Sequence, residues 1–178
     1  MEWTGARYAD QPTVERSIWI DAPPAHVWQI ASDIRQMPEM SAELQEAEWL
    51  DGATGPEFGV RFRGRNRHDA IGEWETTSYV VECIPGEVFT WAVGDPEFPA
   101  ATWRFTVVPG DTGGTWLTQW VRMGPAPSGL SRAIAQWPDR EQKIVFGRLR
   151  EWEAAMAVTL GGIKERAESG RGEQDVPG

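Results

Sequence analysis

A chain of 178 residues is long enough for one domain with a substantial core and too short for two of ordinary size. Its formal net charge of −10 opposes general attraction to phosphate backbones and anionic lipid surfaces, so no nucleic-acid partner is expected. Cys83 stands alone, which excludes an internal disulfide, a cysteine metal cluster and a redox pair; the two histidines lie far apart without a matching carboxylate cluster, and neither a metal nor a cofactor is expected.

The N-terminal stretch "MEWTGARYADQP" lacks the basic segment and apolar run of a secretory signal, and no stretch has the length of a membrane span. The expectation is a soluble, cytoplasmic protein without stable membrane insertion, monomeric or homodimeric. Residues 1–12 are expected as a flexible tail, 13–168 as one domain and 169–178 as a disordered tail.

"TVERSIWID" alternates like a strand and carries β-branched residues. "APPAHVWQIASDI" follows, with prolines where only a first helical turn tolerates them and Val27, Ile30, Ala31 and Ile34 on one face. "MPEMSAE" predicts a second short helical turn. From about Ala42 to Met123 six strands are expected: "LQEAEWL", "FGVRFRGRN", "GEWETTSYVVEC", "EVFTWAVG", "ATWRFTVV" and "TWLTQWVRM". The segments between them are short and rich in turn residues, and such connections join antiparallel neighbours because a parallel crossover needs a dozen residues or more. "GPAPSGLSRAIAQWP" reads as a loop or broken helix. The long final helix, "DREQKIVFGRLREWEAAMAVTLGGIKERAE", has Asp139 and Gln142 at capping spacing and an apolar stripe of Val145, Leu149, Trp152, Met156, Leu160 and Ile163.

Alternation assigns the arginines of "GVRFRGRNRHDAIGEW" to the outer face, where Arg61, Arg63, Arg65 and Arg67 meet Glu46 and Glu48 on one side and Glu73 and Glu75 on the other. Phe62, Asn66 and His68 then face inward, with Trp74 and Thr76. The same rule turns inward Phe89, Trp91 and Val93, then Trp103, Phe105 and Val107. The last strand offers either Leu117, Gln119 and Val121 or Trp116, Thr118 and Trp120; the first set is preferred because Leu and Val accompany one polar group. From the helix, Leu149, Trp152 and Met156 close the space. With eleven tryptophans in the chain, this set suits a cavity for a flat or greasy ligand as well as an aromatic core.

Catalytic signatures are weak. Ser41, Ser128 and Ser131 lack a "GxSxG" setting and a paired histidine, and no glycine-rich loop has phosphate-binding spacing. His26 reads as a surface residue. Asn66, His68 and Gln119 remain as candidate polar or acid–base groups, with Asp33 or Glu73 available if the facing is off by one.

Three features in order carry a resemblance: "IDAPPAHVWQIASDIRQMPEM" after the first strand, then "GVRFRGRNR", "EWETTSYVVECIPGEVF" and "ATWRFTVVPGDTGGTWLTQ" in a meander, then the long helix. Over roughly residues 12 to 168 the chain resembles the START-like (SRPBCC) superfamily of polyketide cyclases, dehydrases and lipid-transfer proteins. The resemblance implies an α+β helix-grip fold: a curved seven-stranded antiparallel sheet wrapped around the long C-terminal helix, with two short helices after the first strand and a deep cavity between. It implies a hydrophobic small-molecule ligand, polyketide- or lipid-like, with cyclase, aromatase or dehydratase activity as one reading. A non-catalytic lipid or quinone carrier, or a protein-interaction module with a vestigial cavity, is the other. Ligand access is expected between Gly94–Ala101 and Gly124–Pro138, both proline-containing breaks.

Overall fold

The computed structural model describes residues 1–111 and 113–169. Seven strands form one antiparallel sheet: β1 (Thr13–Ile20), β2 (Leu44–Trp49), β3 (Arg61–His68), β4 (Gly72–Ile84), β5 (Val88–Gly94), β6 (Pro99–Pro109) and β7 (Thr115–Met123). Their order across the sheet is β1-β7-β6-β5-β4-β3-β2. The meander from β2 to β7 pairs each strand with its successor, as short turns require, and β1 closes the sheet by pairing with β7.

Helix α1 (Pro24–Ser32) begins at Pro24 and buries Val27, Ile30 and Ala31. The second short helix is a single 3-10 turn, Met37–Met40. Helices α2 (Gly129–Gln136) and α3 (Glu141–Ser169) follow β7. Asp139 does not cap α3: it lies inside a 3-10 turn, Pro138–Arg140, that runs straight into the helix, and the Gln142 amide donates instead to the Gly5 carbonyl at 2.7 Å. All six residues of the expected α3 stripe are buried.

The sheet curves around α3. On one side α3 packs along β1. On the other, Arg148 of α3 grips Glu43 just before β2, with Nη1 to Oε1 at 2.6 Å and Nη2 to Oε2 at 2.8 Å. Apolar side chains fill the space in two clusters. The larger joins α1, the Met37–Met40 turn, Phe89, Phe105 and Leu117 to Leu160 and Ile163; the smaller joins Val14, Val121 and Met123 to Val145, Leu149, Trp152 and Met156.

Residues 1–12, expected as a tail, lie against the domain. Trp3 meets Phe146 edge-on with ring centroids 5.0 Å apart, and Tyr8 packs on the smaller cluster while its hydroxyl donates to the Ala126 carbonyl at 2.6 Å. Of the segment 169–178, only Ser169, the last residue of α3, falls among the described residues.

Candidate functional site

The strand register settles which side chains face α3. On β7, Leu117, Gln119 and Val121 are 0 %, 6 % and 0 % exposed, whereas Trp116 on the opposite face is 48 % exposed. In the paired strands Gln119 stands opposite Phe105, Val121 opposite Trp103, and Trp103 in turn opposite Trp91, so these residues share the inner face. Phe62, Phe89, Trp91, Phe105, Leu149, Trp152 and Met156 are buried there, and Trp103 is partly buried.

The aromatic rings pack on one another. Trp91 and Trp103 stack at 6.2 Å and 9°, Trp103 meets Trp152 edge-on at 5.4 Å, and Phe62 and Phe105 lie 6.1 and 5.8 Å from Trp91. The rings expected to line a deep cavity therefore pack against one another between sheet and helix. Alternation sets the facing of a residue; whether a void remains depends on how rings from four strands and a helix interdigitate.

Gln119 sits at the seam of the two apolar clusters. Leu117, two residues before it on the same face, belongs to the larger one, and Val121, two residues after it, to the smaller; Trp103 touches both. The Gln119 Oε1 is buried and accepts no hydrogen bond from any described residue. An amide oxygen left so in an apolar interior costs about 1–3 kcal/mol.

Asn66 and His68 lie elsewhere. Gln119 and β3 are separated by four strand spacings, about 19 Å along the sheet, so the three polar candidates do not form one constellation. Asn66, half-buried, donates to Thr76 Oγ1 and to the Gly64 carbonyl, both at 3.4 Å, and Trp74 stands opposite it in the register. His68 lies beside α3, with Nε2 3.6 Å from Glu151 Oε2. Its Nδ1 accepts the Ala70 N–H at 3.2 Å. In the neutral ring the proton is then on Nε2, facing the carboxylate, and no lone pair remains for a general base.

The sequence reading missed the group around His68. Arg148 bonds Glu151 at 3.0 Å as well as Glu43, and lies over the Trp152 ring at 5.3 Å. Burial pulls the Arg148 guanidinium down, but the bonds and charges of Glu43 and Glu151 outweigh it and hold the group above its ordinary value. Its i, i+3 partner Glu151 was visible on the helix; Glu43, 105 residues away, was not. Beside this group an open groove of about 490 Å³ runs between Ala42, Glu43, Arg67 and His68 and the Glu151–Val158 face of α3.

The two segments expected to flank the access route are joined at one end. Gly124 N donates to Ala100 O and Ala126 N to Pro99 O, each at 2.9 Å, which joins the two segments. The spare carboxylates lie away from the inner face. Asp33 is held by Arg35, Nε to Oδ1 at 2.8 Å and Nη2 to Oδ2 at 3.0 Å, with Gln36 behind; the Arg35 bond chiefly keeps its carboxyl below the usual range. Glu73 is exposed opposite Arg67. Two outer arginines meet their acids as the alternation requires, Arg63 binding Glu48 and Arg65 lying 3.1 Å from Glu46 and 3.6 Å from Glu75; Arg61 instead binds Asp51 beyond β2 through two bonds, and Arg67 stands opposite Glu73 without an ion pair to a described residue.

A family model described as polyketide cyclase/dehydrase and lipid transport matches residues 11–164. The chain belongs to this family. A polyketide-cyclase-like protein of Corynebacterium glutamicum, solved by NMR, is 28 % identical; the match covers 93 % of this chain and 97 % of that one with a TM-score of 0.64. The ZhuI aromatase/cyclase of Streptomyces sp. R1128 is 15 % identical, with 88 % and 93 % covered and a TM-score of 0.65. The di-domain aromatase/cyclase StfQ of the steffimycin biosynthetic pathway gives the higher TM-score of 0.70 at 15 % identity; 90 % of this chain matches 51 % of that one, about half of the di-domain protein. The last two likenesses concern the fold. Among the described residues no helix is long and apolar enough to cross a membrane.

Proposed function

We propose that this member of the family binds an apolar small molecule of the polyketide or lipid class between the inner face of β5–β7 and α3, with Gln119 as its polar anchor. The reading is carried by the buried Gln119 Oε1, which accepts no hydrogen bond from a described residue at the seam of two apolar clusters. A ligand hydroxyl donating to that oxygen removes the cost of burying it, and Trp91, Trp103 and Trp152 offer flat apolar area on either side. Trp103, which touches both clusters and is not fully buried, is the ring that turns to admit the ligand. The family description and the aromatase/cyclases sharing the fold support this ligand class.

A second reading places catalysis, a cyclisation, aromatisation or dehydration of a polyketide chain, in the open groove beside His68 instead. The His68–Glu151 pair favours it, since the ring, when protonated, carries an acidic Nε2–H at the groove beside the Glu151 carboxylate. Orientation of a reactive chain by the pocket would supply most of the rate, with one modest acid.

Mass spectrometry of material released on denaturing the purified protein, followed by incubation with a poly-β-ketone thioester mimic, tests both. A released apolar molecule without turnover supports the carrier. Turnover lost in His68→Ala supports the enzyme. Failure to bind either an anthraquinone or a long-chain fatty acid contradicts both.

A further inference from the structure

On the outer face of β2–β4, Arg61, Arg63 and Arg65 are matched by carboxylates. Two strands away, Arg104 of β6 and Arg122 of β7 depart from this. Both point outward, and neither makes a hydrogen bond or ion pair with another described residue; Arg104 lies over the Trp120 ring at 4.6 Å, and the Nε of each arginine is buried without an acceptor. Thr102 lies between them. It faces Arg122 directly in the β6–β7 register and precedes Arg104 by two residues on the same face, so the Arg122 and Thr102 Cβ atoms are about 4.5–5.5 Å apart. Thr102 is only 8 % exposed, and its Oγ1 is also buried without a partner.

Three adjacent outer positions thus hold buried donors with no acceptor among the described residues. The carboxylates nearest in the register do not supply the acceptor: Glu15 stands opposite Trp120 and makes no ion pair with either arginine, and Glu82, opposite Thr90, accepts the Thr90 hydroxyl at 2.8 Å. Two unneutralised guanidiniums side by side repel, and each unmatched donor carries a desolvation cost. One group removes both penalties: an anion with several acceptor oxygens, which guanidiniums bind through short charge-assisted bonds.

We propose that Thr102, Arg104 and Arg122 form a binding site for an oxyanion, a phosphate or carboxylate group, on the outer face of the sheet. The site is separate from the inner one, because Trp103, Phe105, Gln119 and Val121 of the same strands point the other way. The two arginines bracket the anion and the Thr102 hydroxyl donates from beneath.

The test follows the arginine Nε–Hε cross-peaks of the 15N-labelled full chain while inorganic phosphate, and separately acetate, is added at ionic strength held constant with sodium chloride. The Arg104 and Arg122 peaks are expected to move together and saturate; saturation by phosphate alone or by acetate alone identifies the anion class, and either supports the site. Thr102→Val keeps the side-chain shape and removes one neutral donor to an anion, so it weakens binding roughly tenfold. The same variant melts higher than the parent without added anion, because it no longer buries an unmatched hydroxyl. Arg65→Gln, which removes an already paired charge, leaves the affinity unchanged. Peaks that drift without saturating in both titrations overturn the proposal. So does an unchanged affinity in Thr102→Val, or an Arg65→Gln loss as large as that of Arg122→Gln, which would reduce the effect to general charge.

Discussion

Replacing Gln119 with leucine should make the protein more stable and a worse receptor at once. The two side chains have similar volume, and the position lies between Leu117 and Val121 on a face that is otherwise apolar. Leucine removes a buried acceptor without a partner, a gain of about 1–3 kcal/mol. For a domain of this size each kcal/mol moves the melting temperature by roughly 2–4 °C. Thermal and urea unfolding of parent and Gln119→Leu, with an unchanged urea m-value, would establish the gain. Tryptophan fluorescence titrations with a pair of ligands that differ by one hydroxyl complete the assay. The hydroxylated ligand loses roughly tenfold in affinity in the variant, and its deoxy analogue loses none. A lower melting temperature in Gln119→Leu, or an equal loss for both ligands, would refute the assignment of the amide as an anchor.

Arg148→Met leaves Glu43 without its partner, in a pair whose side chains are 11 % and 19 % exposed, and should cost about 2–3 kcal/mol, between the values for exposed and fully buried pairs. The double variant with Glu43→Leu should recover a large part, and a coupling near zero in the denaturation cycle would count against the grip of α3 on the β2 edge. The adjacent glycines of α3 should respond in opposite directions. Gly161 faces open space, so alanine there gains about 0.5–1 kcal/mol of helix propensity. At Gly162 a Cβ would come within 2.9 Å of Met40 Cβ and 3.4 Å of its Cα, so Gly162→Ala destabilises, which thermal melts can compare directly. Asp33 has a depressed carboxyl, so its contribution is present above the unfolded carboxyl range and lost as pH falls through the folded value. Asp33→Asn should therefore cost less than about 1 kcal/mol at neutral pH, with the difference vanishing in acid; a difference that persists below pH ~2 would assign the effect to geometry and not charge.

Much of the fold is legible in the sequence because its period is two. Arg63 and Arg65 of β3 find their glutamates on β2 and β4 at the register positions that alternation requires, and the choice of Leu117, Gln119 and Val121 over Trp116, Thr118 and Trp120 follows from which set can tolerate an apolar interior. The α3 stripe is legible for the same kind of reason at a period near 3.6. What alternation cannot supply is packing across elements. It placed Trp91, Trp103 and Trp152 on facing surfaces but not the ring contacts between them. Glu43 and Arg148 meet over 105 residues, and the N-terminal Tyr8 meets Ala126 over 118, contacts that no local pattern encodes. The unmatched Arg104 and Arg122 were hidden differently. In the sequence they are two arginines among many, and only the register sets them around Thr102 with no acid in reach.

The central claim is that an apolar ligand lies at Gln119, under the tryptophans and against α3. Intermolecular NOEs between a bound anthraquinone and the methyl groups of the labelled protein test it most directly. The account predicts contacts to Leu117, Val121, Leu149 and Met156, with the Gln119 side-chain amide shifted on binding. Contacts confined to Ala154, Ala155 and Val158, in the open groove beside His68, would contradict it.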